Sequence, residues 1–258
     1  MSLSATSRTQ ESTLIPSKHN APNETLGKEV LDYLRTTDGV RKFVLELFST
    51  IADWITLNRP NARLNDLSTN VKQAKNVVAL GKLPEELVKT AGQAAAVYRE
   101  KSIASIGQLI NRICVFLMPA AEVADVFHKR VSPLSARSVL AMNLLGNGAS
   151  AYAGTYDLAE SVQKIQDAAN PVLQAETGVA GARDRAIQTG QGVIGSAGAI
   201  ADIAGGLLGL LSITTTFVVA PWIILALSTQ SLLCTIGGRL YPQIHRLVDR
   251  PIQPKHLA

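Results

Sequence analysis

Charged side chains are almost absent from the last third of this sequence. Between residues 186 and 238 the only Asp, Glu, Lys or Arg is Asp202, and residues 203–238 contain none. A bilayer core is crossed by about 20 apolar helical residues, so the segment is too long for one span and fits two. Pro221 and Trp222 lie near its middle, where a hairpin would turn. The missing charge therefore predicts a transmembrane helical hairpin.

Aromatic and charged residues are scarce in the chain as a whole. Aromatic residues make up 5% of the 258 residues, and charged residues make up 17%, below the ~25% of ordinary soluble domains. Ala, Leu, Ile, Val and Gly dominate the hydrophobic fraction of 47%, which is typical of closely packed helices. Together with the scarcity of strand signal in the sequence, this composition predicts an all-α fold.

Cysteine and histidine are too few and too dispersed to form a metal site or a disulfide framework. Cys114 and Cys234 are the only cysteines, and the four histidines are far apart. The sequence has no phosphate-binding loop, no zinc-protease motif, no strand-associated dinucleotide fingerprint and no nucleophile elbow. We therefore predict no catalytic, cofactor-binding or metal-binding residues, and a protein that is not an enzyme.

The net charge of +5 predicts an acidic partner, either nucleic acid or anionic lipid. The basic residues are scattered and are not interleaved with aromatic residues. A lipid bilayer is therefore the expected partner, and nucleic acid is not expected.

The first 25 residues are rich in Ser, Thr, Asn, Gln and Pro, a composition that cannot build a packed core. They lack the apolar core of a secretory signal, so we expect no cleavable signal peptide. The segment is predicted to be a disordered polar leader of the kind that directs bacterial type III secretion.

Residues 26–190 are predicted to form a helical, cytosol-facing domain. Residues 63–80 show an apolar stripe flanked by cations, which predicts an amphipathic helix that ends at Gly81 before a new helix begins at Pro84. Such a helix either lies in a membrane surface and promotes curvature, or packs on its neighbours. The residues predicted to contact the membrane surface are Arg63, Leu64, Leu67, Val71, Lys72, Lys75 and Val78.

Two further helical blocks follow within this domain. Residues 101–129 place an arginine, Arg112, inside an apolar pattern, which favours a packed or interfacial helix over a span. Residues 138–156 carry no charge but are diluted by Asn143, Asn147 and three glycines. They fit a buried soluble helix and a membrane-associated element equally well.

The hairpin, predicted at residues 191–240, contains small residues at every fourth position that would let two helices approach closely. Basic residues flank both of its outer ends, and its turn has none, so both termini are expected on the cytosolic side. Residues 241–258 form a short basic tail. A buried hairpin in a soluble protein and one long tilted span remain alternatives. The packing stripe is Ala197, Ala201, Gly205 and Gly209.

Part of the N-terminal domain resembles the peroxin-11 family of peroxisomal membrane-shaping proteins. The resemblance rests on residues 36–42 (TTDGVRK), 62–64 (ARL) and 74–82 (AKNVVALGK). That family has a T-x-G-R-D-K-like opening and an amphipathic helix ending in R-L-G-K. The resemblance implies a membrane-remodelling protein of the peroxisomal membrane.

The whole layout resembles chlamydial inclusion membrane proteins. These have an uncleaved polar leader and a bilobed apolar hairpin with both ends cytosolic, and residues 77–81 (VVALG) and 138–143 (SVLAMN) are similar to one subset. The resemblance implies a type III secreted protein of a pathogen-vacuole membrane that acts as a scaffold for host proteins. A possible homo-oligomer and an unidentified protein partner are part of this hypothesis. A third hypothesis is a soluble helical protein with a buried apolar hairpin that inserts into membranes when triggered and forms a pore.

Overall fold

The computed structural model describes residues 28, 31–36, 39–60, 62–130, 135–170, 178–216 and 218–248. Within these residues the chain forms seven helical segments and no strand, which confirms the predicted all-α class. The predicted leader, residues 1–25, lies outside the described residues. So do residues 249–258 of the predicted tail, whereas residues 241–248 belong to the last helix.

A π-helical segment, Val40–Glu46, continues directly into α1 (Leu47–Asn58). Four of the five long helices that follow are each joined to the next through fewer than ten residues. These helices are α2 (Ala62–Glu100), α3 (Ile103–Arg130), α4 (Ala136–Ala169), α5 (Gly178–Thr214) and α6 (Pro221–Val248).

Successive helices run antiparallel, and local chemistry marks where some of them turn. Lys101, with φ of 47°, reverses the chain between α2 and α3, and the side chain of Ser135 caps α4 by accepting a hydrogen bond from the backbone N–H of Ser138. The largest interface is between α4 and α5, and α5 also packs on α6. Helix α1 packs against α2 and α6, and these contacts join the N-terminal helices to the rest of the bundle.

The predicted helix boundary at Gly81 and Pro84 is wrong, because α2 runs through both residues. Proline removes one hydrogen bond from a helix interior, at a cost of about 3 kcal/mol. Packing on both sides of Pro84 offsets that cost, since α2 pairs with α1 through its first half and with α3 through its second half. Local helix-ending signals were outweighed by tertiary contacts.

The predicted hairpin corresponds to the end of α5, a turn, and α6. The turn that was expected near Pro221 lies at residues 215–220, and α6 begins at Pro221 itself. The predicted domain boundary at residues 190–191 falls inside α5, which is continuous from Gly178.

Candidate functional site: the polar interior and the apolar surface

Three helices are long and apolar enough to cross a membrane. Their apolar segments are Ile103–Ala124 in α3, Gly181–Thr214 in α5 and Pro221–His245 in α6. Only 11, 17 and 11% of the residues in the most apolar part of these segments are buried inside the fold. The apolar side chains are therefore left on the surface, as expected of a membrane protein.

The interior is built from small and polar residues. Among the described residues, ten hydrophobic side chains are buried, and seven of these are alanines. Buried polar or charged residues are nearly as numerous: Arg41, Ser49, Thr50, Ser68, Glu86, Ser105 and Ser161. A soluble domain of this length buries large aliphatic and aromatic side chains instead, because their removal from water supplies most of its stability.

The large aliphatic side chains form stripes on the outside of the bundle. In α3 the exposed residues Ile103, Ile106, Ile110 and Ile113 repeat at helical spacing. In α5 the exposed residues Val193, Ile200 and Leu207 recur every seven residues. A contiguous apolar surface of this extent marks a lipid or protein contact.

The first two helices have the same inverted arrangement. In α1, Phe48, Ile51 and Ile55 are exposed, whereas Ser49 and Thr50 are buried. Between residues 74 and 95 of α2 the exposed face is almost entirely apolar, and its only charges, Glu85 and Lys89, are paired at 2.6 Å. The covered face of α2 carries Gln73, Lys75, Asn76, Lys82, Glu86, Thr90 and Gln93.

Ion pairs connect these inward-facing polar groups. The Arg41 guanidinium donates to both carboxylate oxygens of Glu122 in α3, at 2.5 and 2.6 Å, and its side chain is 10% exposed. Lys75 approaches the same carboxylate at 3.7 Å. On α1, Asp53 accepts a hydrogen bond from Ser68 and pairs with Lys72 at 2.7 Å. These pairs join α1, α2 and α3 through charge rather than through aliphatic contact.

Two cavities with charged residues in their linings lie along the π-helical segment and α1, and the exposed surface of the second is mainly apolar. The first, of about 1230 Å³, is lined by Asp32, Thr36 and Phe43 together with residues of α2, α4, α5 and α6. The second, of about 1220 Å³, is lined by Glu46, Thr50, Asp53 and Thr56 together with residues of α2, α3 and α6. Both cavities therefore lie within the part of the bundle that holds the ion pairs.

Charged groups also meet where α4 faces α5. Burial raises the pKa of the Asp157 carboxyl, and the negative charges of Glu160 and Asp202 raise it further, against the cations Lys42 and Lys164. Asp202 was predicted to face another helix, and its carboxylate is hydrogen-bonded to Ser231 of α6.

The predicted packing stripe of α5 divides between two neighbours. The backbone carbonyl of Ala197 accepts a hydrogen bond from Gln230 of α6, Ala201 is 2% exposed, and Gly209 lies against Asn147 of α4. Gly205 has open space around it, whereas a Cβ on the adjacent Gly206 would lie 2.7 Å from backbone atoms of Asn147 and Ala151. The role of the four-residue stripe stays a prediction, and the close approach to the backbone of α4 is at Gly206, one residue away from it.

The predicted membrane-surface residues are also divided. Leu67 and Arg63 are exposed, and Leu64, Val71 and Val78 are partly covered. Lys75 pairs with Glu122 and is largely covered, whereas Lys72 pairs with Asp53 while its side chain is 52% exposed. The membrane-surface role of this segment stays a prediction.

Sequence reasoning missed the polar interior. The sequence pattern that could have indicated it is the set Glu46, Ser49, Thr50 and Asp53, which places polar residues at helical spacing within an otherwise apolar segment. Among the described residues, no three His, Cys, Asp or Glu side chains are grouped so that they could hold a metal ion.

No family model matches the chain, and neither a curated protein nor a solved structure matches it significantly.

Proposed function

We propose that this protein is a non-enzymatic integral membrane protein that acts as a scaffold on an intracellular membrane. The observation that carries the proposal is the inverted packing, with alanine, serine and ion pairs inside and aliphatic stripes outside. Removing an aliphatic side chain from water stabilises a protein by about 1.5–3 kcal/mol. This fold leaves such side chains on its surface, so the stabilisation must come from contact with its surroundings. A bilayer supplies it along every helix at once.

The directions in which the helices run imply a fourth membrane crossing in addition to the three apolar segments. Residue pairs such as Ile165 with Gly192 and Asn147 with Gly209 make α4 antiparallel to α5, and α3 is likewise antiparallel to α4. Helices α3 and α5 therefore run in the same direction, so the chain must return across the same layer through α4. Its uncharged residues 138–156 are long enough for this return.

The four crossings leave a platform for partners. Helix α4 has 34 residues and α5 has 37, so they are about 50 and 55 Å long, against a hydrocarbon core of about 30 Å. Their polar ends, residues 157–169 and 178–190, extend from the membrane as a paired stalk on the side that also receives the end of α6. We propose that this side is cytosolic and that host proteins bind there.

The membrane of a pathogen vacuole is the proposed location, on the basis of the polar leader and the layout shared with chlamydial inclusion membrane proteins. The peroxin-11-like alternative needs Lys72 and Lys75 at lipid headgroups to help bend a membrane. Lys75 is instead largely covered and neutralises Glu122, and the half-exposed Lys72 is paired with Asp53, so a scaffold is the better-supported function.

Cysteine labelling tests the four-crossing topology. In a variant with Cys114 and Cys234 replaced by alanine, we expect cysteines at Ser135 and Thr216 to react with an impermeant reagent on one side of the membrane. Cysteines at Lys101 and Asn170 should react only on the other side. Labelling of Ser135 together with Asn170 would show that α4 does not cross. Release of the protein by alkaline carbonate would contradict membrane insertion altogether.

The leader gives a separate test of the location. Fused to a reporter, residues 1–25 should direct export through a bacterial type III apparatus, and the full chain should reach the vacuole membrane of infected cells. A fusion to residues 26–50 is the matched control. Export that does not depend on residues 1–25 would count against this route while leaving the membrane topology intact.

A further inference from the structure

The two cavities follow one helix from end to end. The lining residues that come from the N-terminal part of the chain run from Asp32 to Pro60. The helical part of this stretch, Val40–Glu46 with α1, contains nineteen residues. At 1.5 Å per residue this part is about 28 Å long, close to the ~30 Å thickness of the hydrocarbon core. One cavity lies toward the stalk, where Gln191 and Lys164 line it, and the other lies toward the α5–α6 turn, where Pro221 lines it.

A short layer separates the cavities. On α2 their linings are divided by residues 77–81, and on α6 by residues 229–234. These stretches contain Ala79, which is fully buried, and Leu232, which is 3% exposed. Leu232 is the one large aliphatic side chain of α6 that is buried among the described residues. The two linings are therefore interrupted at one level, and the buried apolar side chains at that level are those of Ala79 and Leu232.

A buried carboxylate in the first cavity, and a guanidinium that is bonded to Glu122 of the second, each have a polar atom without a described hydrogen-bond partner. The Glu86 side chain is 4% exposed and accepts from Lys89 through Oε1, but no described group donates to its Oε2. The Nε of Arg41 is likewise buried without a described acceptor. Buried charged groups in this state are costly unless water or ions reach them.

The walls are apolar on the outside at the same levels. Val88 is 72% exposed two residues after the buried Glu86, which lines the first cavity, and Ile55 is 43% exposed beside Thr56, which lines the second. A polar inner face with an aliphatic outer face is the arrangement of a water-filled space enclosed in lipid. In water the same arrangement would expose the apolar stripes of α1 and α2 at a large cost.

We propose that the two cavities are the halves of a pathway for small ions across the bilayer, closed between them at the level of Ala79 and Leu232. The proposal rests on the membrane insertion proposed above, and it adds α1 and α2 to the embedded part. Four carboxylates and four cations line the first cavity, and three carboxylates and two lysines line the second. Because the charges nearly balance, the pathway should discriminate weakly between cations and anions.

Ion flux in proteoliposomes tests the closing layer. In vesicles loaded with KCl, we expect Leu232→Ala to raise ion flux several-fold over the wild-type protein, because it shortens the side chain in the layer. The matched control is Leu233→Ala on the exposed neighbour, which should leave flux unchanged. In a KCl gradient the reversal potential of Leu232→Ala should lie close to zero. Equal flux from Leu232→Ala, Leu233→Ala and protein-free vesicles would overturn the pathway.

Thiol labelling of cysteine variants in the same vesicles tests the pathway without requiring that the pathway be open. In the cysteine-free background, Lys82→Cys and Thr56→Cys should react with a water-soluble thiol reagent several-fold faster than Val88→Cys and Ile55→Cys. The opposite order would place α1 and α2 in water and overturn the proposal. An alkaline wash of the vesicles distinguishes failure of membrane insertion from failure of the pathway. Loss of the protein in the wash refutes membrane insertion. Retention of the protein together with the opposite order of labelling rates refutes only the pathway.

Discussion

Replacement of Glu122 by alanine is expected to lower the free energy of unfolding by about 3–5 kcal/mol. Glu122 accepts two hydrogen bonds from the buried Arg41 guanidinium and also neutralises Lys75. The variant would leave Arg41 without its carboxylate in a position where its side chain is only 10% exposed. Loss of one partner of a buried pair costs far more than loss of the pair, because the remaining charge is neither solvated nor neutralised.

Unfolding by denaturant in a fixed mixture of lipid and detergent measures this effect. Lys164→Ala is the control, because its pair with Glu160 is about half exposed and should contribute about 0–1 kcal/mol. The double variant Arg41→Leu with Glu122→Leu should recover most of the lost stability. A loss below about 1 kcal/mol for Glu122→Ala would mean that solvent reaches Arg41 freely and that the ion pair does not hold the π-helical segment to α3.

Gly206→Ala is expected to destabilise the fold by about 1–3 kcal/mol, although alanine is the better helix former. A Cβ at Gly206 would lie 2.7 Å from the backbone oxygen of Asn147 and the backbone nitrogen of Ala151, so the two helices must separate. Because α4 and α5 form the largest interface in the bundle, that separation affects the whole stalk.

The neighbouring glycine provides the control for this prediction. A Cβ at Gly205 has no neighbour within 4 Å, so Gly205→Ala should be neutral or should stabilise α5 by up to about 1 kcal/mol. Thermal unfolding followed by helical circular dichroism compares the two variants under identical conditions. If both variants melt at the same temperature, close backbone contact does not determine the packing of α4 on α5.

The helical class and the hairpin could be predicted from sequence because both depend on local composition. A run without charge from residue 203 to residue 238 has few alternatives to apolar helices, and Pro221 can begin a helix but interrupts one that has already formed. Helix ends were harder to predict, since Gly81 and Pro84 carry ordinary helix-ending signals that packing on α1 and α3 outweighs.

The orientation of the amphipathic helices could not be predicted from sequence. The periodicity of α2 separates a polar face from an apolar face, but it does not state which face points inward. In water the apolar face would turn inward, and in lipid the polar face does. The pair of Lys75 with Glu122 marks the inward face of α2 in this fold, and it joins residues of two different helices.

By itself, the amino-acid sequence determined that this protein is helical and that its C-terminal part is apolar enough to cross a membrane, because helix formation and hydropathy are properties of short segments. The tertiary structure decided which helices touch and which faces they turn inward, since these depend on the approach of distant segments. The polar interior forms when distant helices approach one another. Charged groups that are removed from water are stable there only when a partner on another helix pairs with them.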